Sequence, residues 1–291
     1  MFVDYIVKGI GGFYYVKTAN GILECKAKGI FRKRKITPVA GDKVRVEQEN
    51  GGNIIADILP RKNVFVRQPV ANVDNFFIVV STVEPVPSTL VIDKLAAIAA
   101  DKEATPILLI TKTDLQKEDE LIQCYACSGL QVITVNPQTQ EGFAQIKTLL
   151  ADKLSVFSGN SGVGKSTLLG ALLPELTLET GTISKKLGRG RHTTREVTLY
   201  EAFNGLVADT PGFASLDMER ACFIAKENLQ YAFPDIAQHI GKCKFTDCAH
   251  MSEKGCAVRA ALEEGSLAQS RYDSYVTLYN EAKEVKDWQL P

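Results

Sequence analysis

The chain has 291 residues, and its 34 lysines and arginines balance 34 aspartates and glutamates. A length of this order accommodates two or three domains, and a net charge of zero excludes a partner chosen by global charge alone. No apolar run approaches the roughly 20 residues that span a bilayer, and the first residues, with Asp4 and Lys8, lack the order of a signal peptide. A cytoplasmic protein without a membrane partner is expected.

The first 67 residues read as short strands punctuated by turns. Phe13–Thr18 and Ile22–Lys26 flank Ala19-Asn20-Gly21, and Lys43–Glu47 and Ile54–Leu59 flank Asn50-Gly51-Gly52-Asn53. This pattern predicts a small antiparallel barrel. From Val73 the period changes. Strands at 75–80, 107–110, 131–135 and 154–157 alternate with helices at 93–101, 119–126 and 142–150, which predicts a parallel sheet with crossover helices. From about Glu219 the chain reads as mostly helical, with helices at 257–264 and 270–285. Three domains follow: 1–67, 68–218 and 219–291.

Gly159-Asn160-Ser161-Gly162-Val163-Gly164-Lys165-Ser166-Thr167 fits G-x-x-x-x-G-K-[ST], directly after a strand and ahead of an apolar helical stretch. The glycines let backbone N–H groups turn inward at an anion. Lys165 adds a charge for the outer phosphates, and Ser166 offers a hydroxyl to Mg2+. Thr111-Lys112-Thr113-Asp114 follows strand 107–110 and is similar to the N-K-x-D element of GTPases. Asp114 can accept the two hydrogens guanine offers at N1 and N2, a pair adenine lacks. Thr111 stands in place of the usual Asn and has no amide fork. Asp209-Thr210-Pro211-Gly212 follows strand 205–208 and matches D-x-x-G. There Asp209 would hold Mg2+, and the Gly212 N–H would sense the γ-phosphate.

These elements stand in permuted order. The base-reading element precedes the phosphate loop, and D-x-x-G comes last, so the γ-phosphate sensor runs directly into the C-terminal domain. Circular permutation is tolerated when the joined ends lie on the surface. Between phosphate loop and Asp209 lies Gly188-Arg189-Gly190-Arg191-His192-Thr193-Thr194-Arg195, polar, glycine-broken and basic. Thr193 and Thr194 are both candidates for the threonine that reaches Mg2+ when γ-phosphate is present. Phe213 stands where many GTPases carry a water-orienting Gln, so intrinsic hydrolysis is expected to be slow. His192 is the first substitute to consider, with RNA contact or plain solvent exposure as its other roles.

Cys243-x4-Cys248-x-His250-x5-Cys256 supplies three thiols and one imidazole, a complete tetrahedral set for one structural Zn2+. Cys25, Cys124, Cys127 and Cys222 read as packing residues. Lys26, Lys28, Arg32, Lys33, Arg34 and Lys35 cluster around Phe31. As a barrel loop this run would meet RNA phosphates, with Phe31 stacking on a base.

The whole constellation resembles the ribosome small-subunit-dependent GTPase A family, also called RsgA, YjeQ or YloQ. The resemblance rests on Gly41-Asp42-Lys43-Val44, on Thr111–Asp114 ahead of Gly159–Thr167, on His192-Thr193-Thr194, on Asp209–Phe213 and on the Cys/His spacing. It implies an N-terminal OB-fold, a permuted α/β P-loop GTPase domain and a mostly helical zinc domain. It also implies GTP and GDP as ligands, with the small ribosomal subunit and its rRNA as partner and stimulator of hydrolysis in late maturation. Contact with other assembly factors is implied too, and a monomer is expected. Asn136-Pro137 stands where GTPases often carry Ser-Ala beside guanine O6, and Pro137 has no N–H to donate. Two other classes remain: a GTP-gated RNA-binding module in which hydrolysis only resets the switch, and a small-molecule P-loop kinase.

Overall fold

The computed structural model describes residues 4–49, 51–66, 69–115, 119–174, 197–209 and 224–284. They fall into two compact units, bounded Met1–Asn75, Ala144–Phe157 and Ser166–Phe213 in the first, and Phe76–Phe143, Ser158–Lys165 and Ala214–Pro291 in the second.

The first unit contains a five-stranded barrel. Its strands β1 (Tyr5–Ile10), β2 (Phe13–Thr18), β3 (Gly21–Ala27), β4 (Val44–Glu49) and β5 (Gly52–Ile58) lie in the order β1-β2-β3-β5-β4. All pairs are antiparallel except β3 with β5. An antiparallel bridge between Tyr5 and Lys43, with Val44 N–H donating to the Asp4 carbonyl at 2.9 Å, brings β1 back to β4. This is the OB-fold order, closed so that little edge is left unpaired. Ile6, Val16, Cys25, Val44 and Ile55 fill the interior.

The structure corrects one expectation here. Residues 29–33 form a short helix, α1 (Gly29–Lys33), not a loop, and its Phe31 is 4% exposed within the barrel core. A helix in the basic run turns Phe31 inward while Ile30, Arg32 and Lys33 stay outside. Phe31 is therefore not available to stack on a base.

The Gly41-Asp42-Lys43-Val44 signature acquires a physical reason. Gly41 sits at φ +86°, and a Cβ there would overlap the Ala71 carbonyl oxygen. Asp42 is fully buried. It accepts the Val39 N–H at 2.8 Å and a two-pronged contact from Arg61, Nε at 2.7 Å and Nη2 at 2.8 Å. The remaining elements of this unit are β6 (Val64–Phe65), β7 (Val70–Ala71), α4 (Phe143–Leu150, from Ala144 on), β11 (Leu154–Ser158), α5 (Lys165–Leu172, from Ser166 on), β12 (Thr198–Ala202) and β13 (Gly205–Asp209). Strand β13 pairs in parallel with β11 and antiparallel with β12.

The second unit contains β8 (Asn75–Ser81), α2 (Thr89–Asp101), β9 (Thr105–Thr111), α3 (Asp119–Tyr125) and β10 (Gln131–Thr134). Every residue of β8 is buried, as in a strand covered on both faces. Strand order is β10-β9-β8, with β10 and β9 parallel from Gln131 opposite Ile107 to Thr134 opposite Ile110. Helix α2 begins four residues earlier than the apolar period predicts, because Ser88 caps it by accepting the Val91 N–H.

The C-terminal elements of this unit are α6 (Lys226–Leu229), α7 (Pro234–Ala237), α8 (Ala257–Glu263) and α9 (Gln269–Glu284). They share a core of Leu229, Phe233, Ile236, Val258, Tyr275 and Leu278 with Ala97 of α2. At its centre lies a buried ion cluster. Arg271 of α9 grips Asp235 through Nε at 2.9 Å and Nη2 at 2.8 Å, and reaches Asp93 of α2 through Nη1 at 2.6 Å. The guanidinium lies 4.6 Å from the Phe233 ring centroid, and the Tyr125 hydroxyl donates to Asp93 at 2.8 Å. Burial pushes the Asp93 carboxyl above the usual range, while Arg271 and the hydroxyls beside it pull it back.

Candidate nucleotide site and metal centre

The phosphate loop and the base-reading element come together in the second unit, at the C-terminal ends of β8 and β9. The Thr82 N–H donates to the Thr111 carbonyl at 3.1 Å, and the Thr82 hydroxyl donates to the Lys112 carbonyl at 2.7 Å. Thr111 is buried, with its hydroxyl oxygen 3.0 Å from the Val80 carbonyl and 2.5 Å from the Val163 carbonyl of the loop. Lys112 takes a left-handed backbone conformation, φ +59°, and its Nζ donates to the Glu84 carbonyl at 2.7 Å. Thr113 is half-buried and Asp114 exposed, which leaves the carboxylate open to a ligand.

The loop glycines are required by close approach and by backbone conformation. A Cβ on Gly159 would stand 2.5 Å from the Val79 carbonyl of β8, so only glycine lets the loop lie against that strand. Gly162 and Gly164 have φ of +87° and +93°. Val163 is buried between them, and Ser161 and Gly162 are exposed, as is Ser166 near the start of α5. Asn160 is half-buried, as are Gly164 and Lys165, the first helical residue, while Thr167 is exposed. A glycine turn ahead of a helix N-terminus is the kind of backbone that can turn N–H donors toward an anion.

At the end of β10, Asn136 Oδ1 accepts from the N–H groups of Gln138 at 2.9 Å and Thr139 at 3.4 Å. Those donors are therefore engaged within the turn. Asp209 closes β13 in register with Thr198. The side chain of Asp209, and all of His192, Thr193, Thr194 and Gly212, lie outside the described residues, as do the neighbouring arginines and Phe213.

The Cys243, Cys248, His250 and Cys256 donor atoms all lie within 4.8 Å of one another. His250 Nδ1 is 3.6 Å from Cys243 Sγ and 3.4 Å from Cys256 Sγ, and these two sulfurs are 4.0 Å apart. Tetrahedral zinc, with Zn–S about 2.3 Å and Zn–N about 2.0 Å, sets S···S near 3.8 Å and S···N near 3.5 Å. The separations among Cys243, His250 and Cys256 approach these values, and with Cys248 beside them the donor set is compatible with such an ion. With Nδ1 facing the metal, Nε2 carries the hydrogen and donates to Gln230 Oε1 at 3.1 Å, which fixes the tautomer. The Ala257 N–H donates to Cys243 Sγ at 3.3 Å. Burial pushes the Cys248 thiol up to about 12, and a divalent cation bound here would stabilise its ionised form.

Comparison with known proteins places this geometry. The RsgA GTPase family model matches residues 58–219, and the RsgA N-terminal domain model matches residues 5–55. The chain belongs to the RsgA GTPase family. It is a GTPase with its G-domain elements in permuted order. A relative from Bacillus subtilis, named small ribosomal subunit biogenesis GTPase RsgA, is 43% identical over 97% of each chain. Its counterpart of the same name from Caldanaerobacter subterraneus subsp. tengcongensis is also 43% identical, over 96% of this chain and 95% of its own length. Among solved structures, YloQ, described as a circularly permuted GTPase, superposes with a TM-score of 0.78 at 37% identity over 98% of this chain and 96% of its own. YjeQ from Thermotoga maritima gives 0.80 at 32% over 98% of this chain and 100% of its own. RsgA GTPases of this kind take a guanine nucleotide with Mg2+, and the Cys/His cluster is compatible with zinc. Among the described residues no helix is long and apolar enough to cross a membrane.

Two participants were not visible in the sequence. Gln230, which orients His250, stands twenty residues upstream of it, outside any ligand-spacing rule. The Arg271 cluster joins residues 178 positions apart, and no local pattern marks it.

Proposed function

We propose that this chain binds GTP between Gly159–Thr167 and Thr111–Asp114, hydrolyses it to GDP and phosphate, and acts in late maturation of the small ribosomal subunit, which stimulates the reaction. The observation that carries the nucleotide site is the seating of the Thr111 hydroxyl on the Val163 carbonyl. It puts the base-reading element beside the phosphate loop although the two are far apart in the chain and in reversed order. The ribosomal part of the reading is supported by the names of relatives matched over nearly the full length.

In this reading Asp114 accepts from guanine N1 and N2, Lys112 flanks the base, and the loop N–H groups with Lys165 hold the phosphates. Ser166 and Asp209, a hydroxyl and a carboxylate, are the hard oxygen donors Mg2+ prefers. The ion, when bound, neutralises charge on the phosphates. Gly212 senses the γ-phosphate, Thr193 or Thr194 reaches the ion, and His192 orients the attacking water in place of the Gln that Phe213 displaces. The Cys243, Cys248, His250 and Cys256 set holds one structural zinc. With all four positions filled by protein, it keeps no open site for chemistry. The domains run 1–67, 68–218 and 219–291. The protein is a cytoplasmic monomer that meets rRNA and other assembly factors on the subunit.

The base pocket is tested by Asp114→Asn. Xanthine carries a carbonyl where guanine carries its 2-amino group, so the carboxamide matches xanthine and mismatches guanine. GTP affinity falls by about 100-fold, the loss of hydrogen bonds to a charged acceptor, and XTP becomes the preferred ligand in equilibrium titration. Unchanged preference for GTP would remove Asp114 from the site.

A further inference from the structure

We infer that Thr111 positions the phosphate loop and does not read the base, so that guanine is bound without a hydrogen bond from this residue to purine N7 or O6. The inference rests on the nucleotide site proposed above. A threonine hydroxyl carries one hydrogen. The two oxygens beside Thr111 Oγ1, the Val80 carbonyl at 3.0 Å and the Val163 carbonyl at 2.5 Å, are both acceptors. Whichever of them takes the hydrogen, it is spent within the protein. Purine N7 and O6 are acceptors too, and an oxygen whose only hydrogen is committed cannot bond to either.

Burial makes the commitment firm. Thr111 is 2% exposed, and a Cβ on Gly164 would lie 3.5 Å from its Oγ1 and 3.7 Å from its Cβ. The side chain is packed beneath the loop, and breaking its bond would leave a buried carbonyl without its partner. The neighbouring Lys112 ammonium donates to the Glu84 carbonyl. An asparagine at position 111 would differ in one respect that matters. Its amide carries two hydrogens, enough for the loop carbonyl and for the base together. Threonine keeps the first function and gives up the second.

The test compares GDP with 7-deaza-GDP, in which N7 is replaced by C–H, by equilibrium titration of the full chain. The wild type binds the two within about twofold, since no hydrogen bond distinguishes them. Thr111→Asn gains a preference for GDP of about fivefold, the worth of one net hydrogen bond. Thr111→Val weakens both nucleotides equally by about tenfold through a loosened loop, and Thr111→Ser, which keeps the hydroxyl, restores both. A merely structural residue would not move the GDP to 7-deaza-GDP ratio. A wild-type preference for GDP of fivefold or more, with binding intact, overturns the inference alone. So does a Thr111→Val protein that binds both as the wild type does. No GDP binding by a folded wild-type chain overturns the nucleotide site and this inference with it.

Discussion

Replacing Arg271 by alanine lowers the unfolding free energy by about 3–5 kcal/mol, the cost of leaving buried carboxylates without their counter-charge. Asp93 and Asp235 are both buried, and Arg271 alone bridges them among the described side chains. Lysine at 271 recovers only part of the loss. A single ammonium cannot reproduce the two-pronged contact with Asp235 while also reaching Asp93. The measurement is urea unfolding of wild type, Arg271→Ala and Arg271→Lys, read at the midpoint and the slope. A change below about 1 kcal/mol for the alanine protein would mean the cluster is no more than a surface-grade ion pair. The location gives the cluster its interest. Asp93 belongs to the helix that follows β8, whereas Asp235 and Arg271 belong to the segment that follows Asp209–Gly212 in the chain.

Removal of zinc is the second large effect. A chelator strong enough to strip the Cys/His set, or Cys256→Ser, lowers the thermal midpoint by roughly 10 °C, as expected when several kcal/mol of metal-linked stability are lost in a domain of this size. Metal analysis of the wild type gives one zinc per chain, and of Cys256→Ser much less. Acidification releases the ion, because the thiols must shed protons to bind it and Cys248 is buried. The packing explains the size of the effect. Cys248 and Cys256 belong to the same core as Phe233 and Tyr275, and the Tyr275 and Tyr272 hydroxyls donate to the carbonyls of Ala249 and His250. Metal-free protein with an unchanged midpoint would contradict a structural role for the ion.

Much of this was legible in the sequence because its elements are local. The phosphate loop, Thr111–Asp114 and the Cys/His set are each read from spacings of a few residues, and the structure places the donor atoms of the last within reach of one ion. Strands 13–18 and 154–157 and helix 119–126 fall within a residue of where period and turn residues put them. What escaped depends on distant partners. Phe31 sits in a basic run that reads as a nucleic-acid surface, yet one turn of helix points it into the barrel. Strand β12 is a local miss, since Asn204-Gly205 marks the two-residue Phe203-Asn204 turn that joins it to β13. The demand for glycine at 41 arises from the Ala71 carbonyl, thirty residues on.

The function proposed above is GTP hydrolysis activated by the small ribosomal subunit. It is tested most directly by multiple-turnover GTP hydrolysis with purified small subunits added or omitted, with Lys165→Ala as control. Turnover is expected to be slow alone, to rise by about tenfold or more when subunits are added, and to be lost under both conditions in the Lys165→Ala protein. Turnover that is unchanged by subunits, in a chain that still binds GTP, would contradict it.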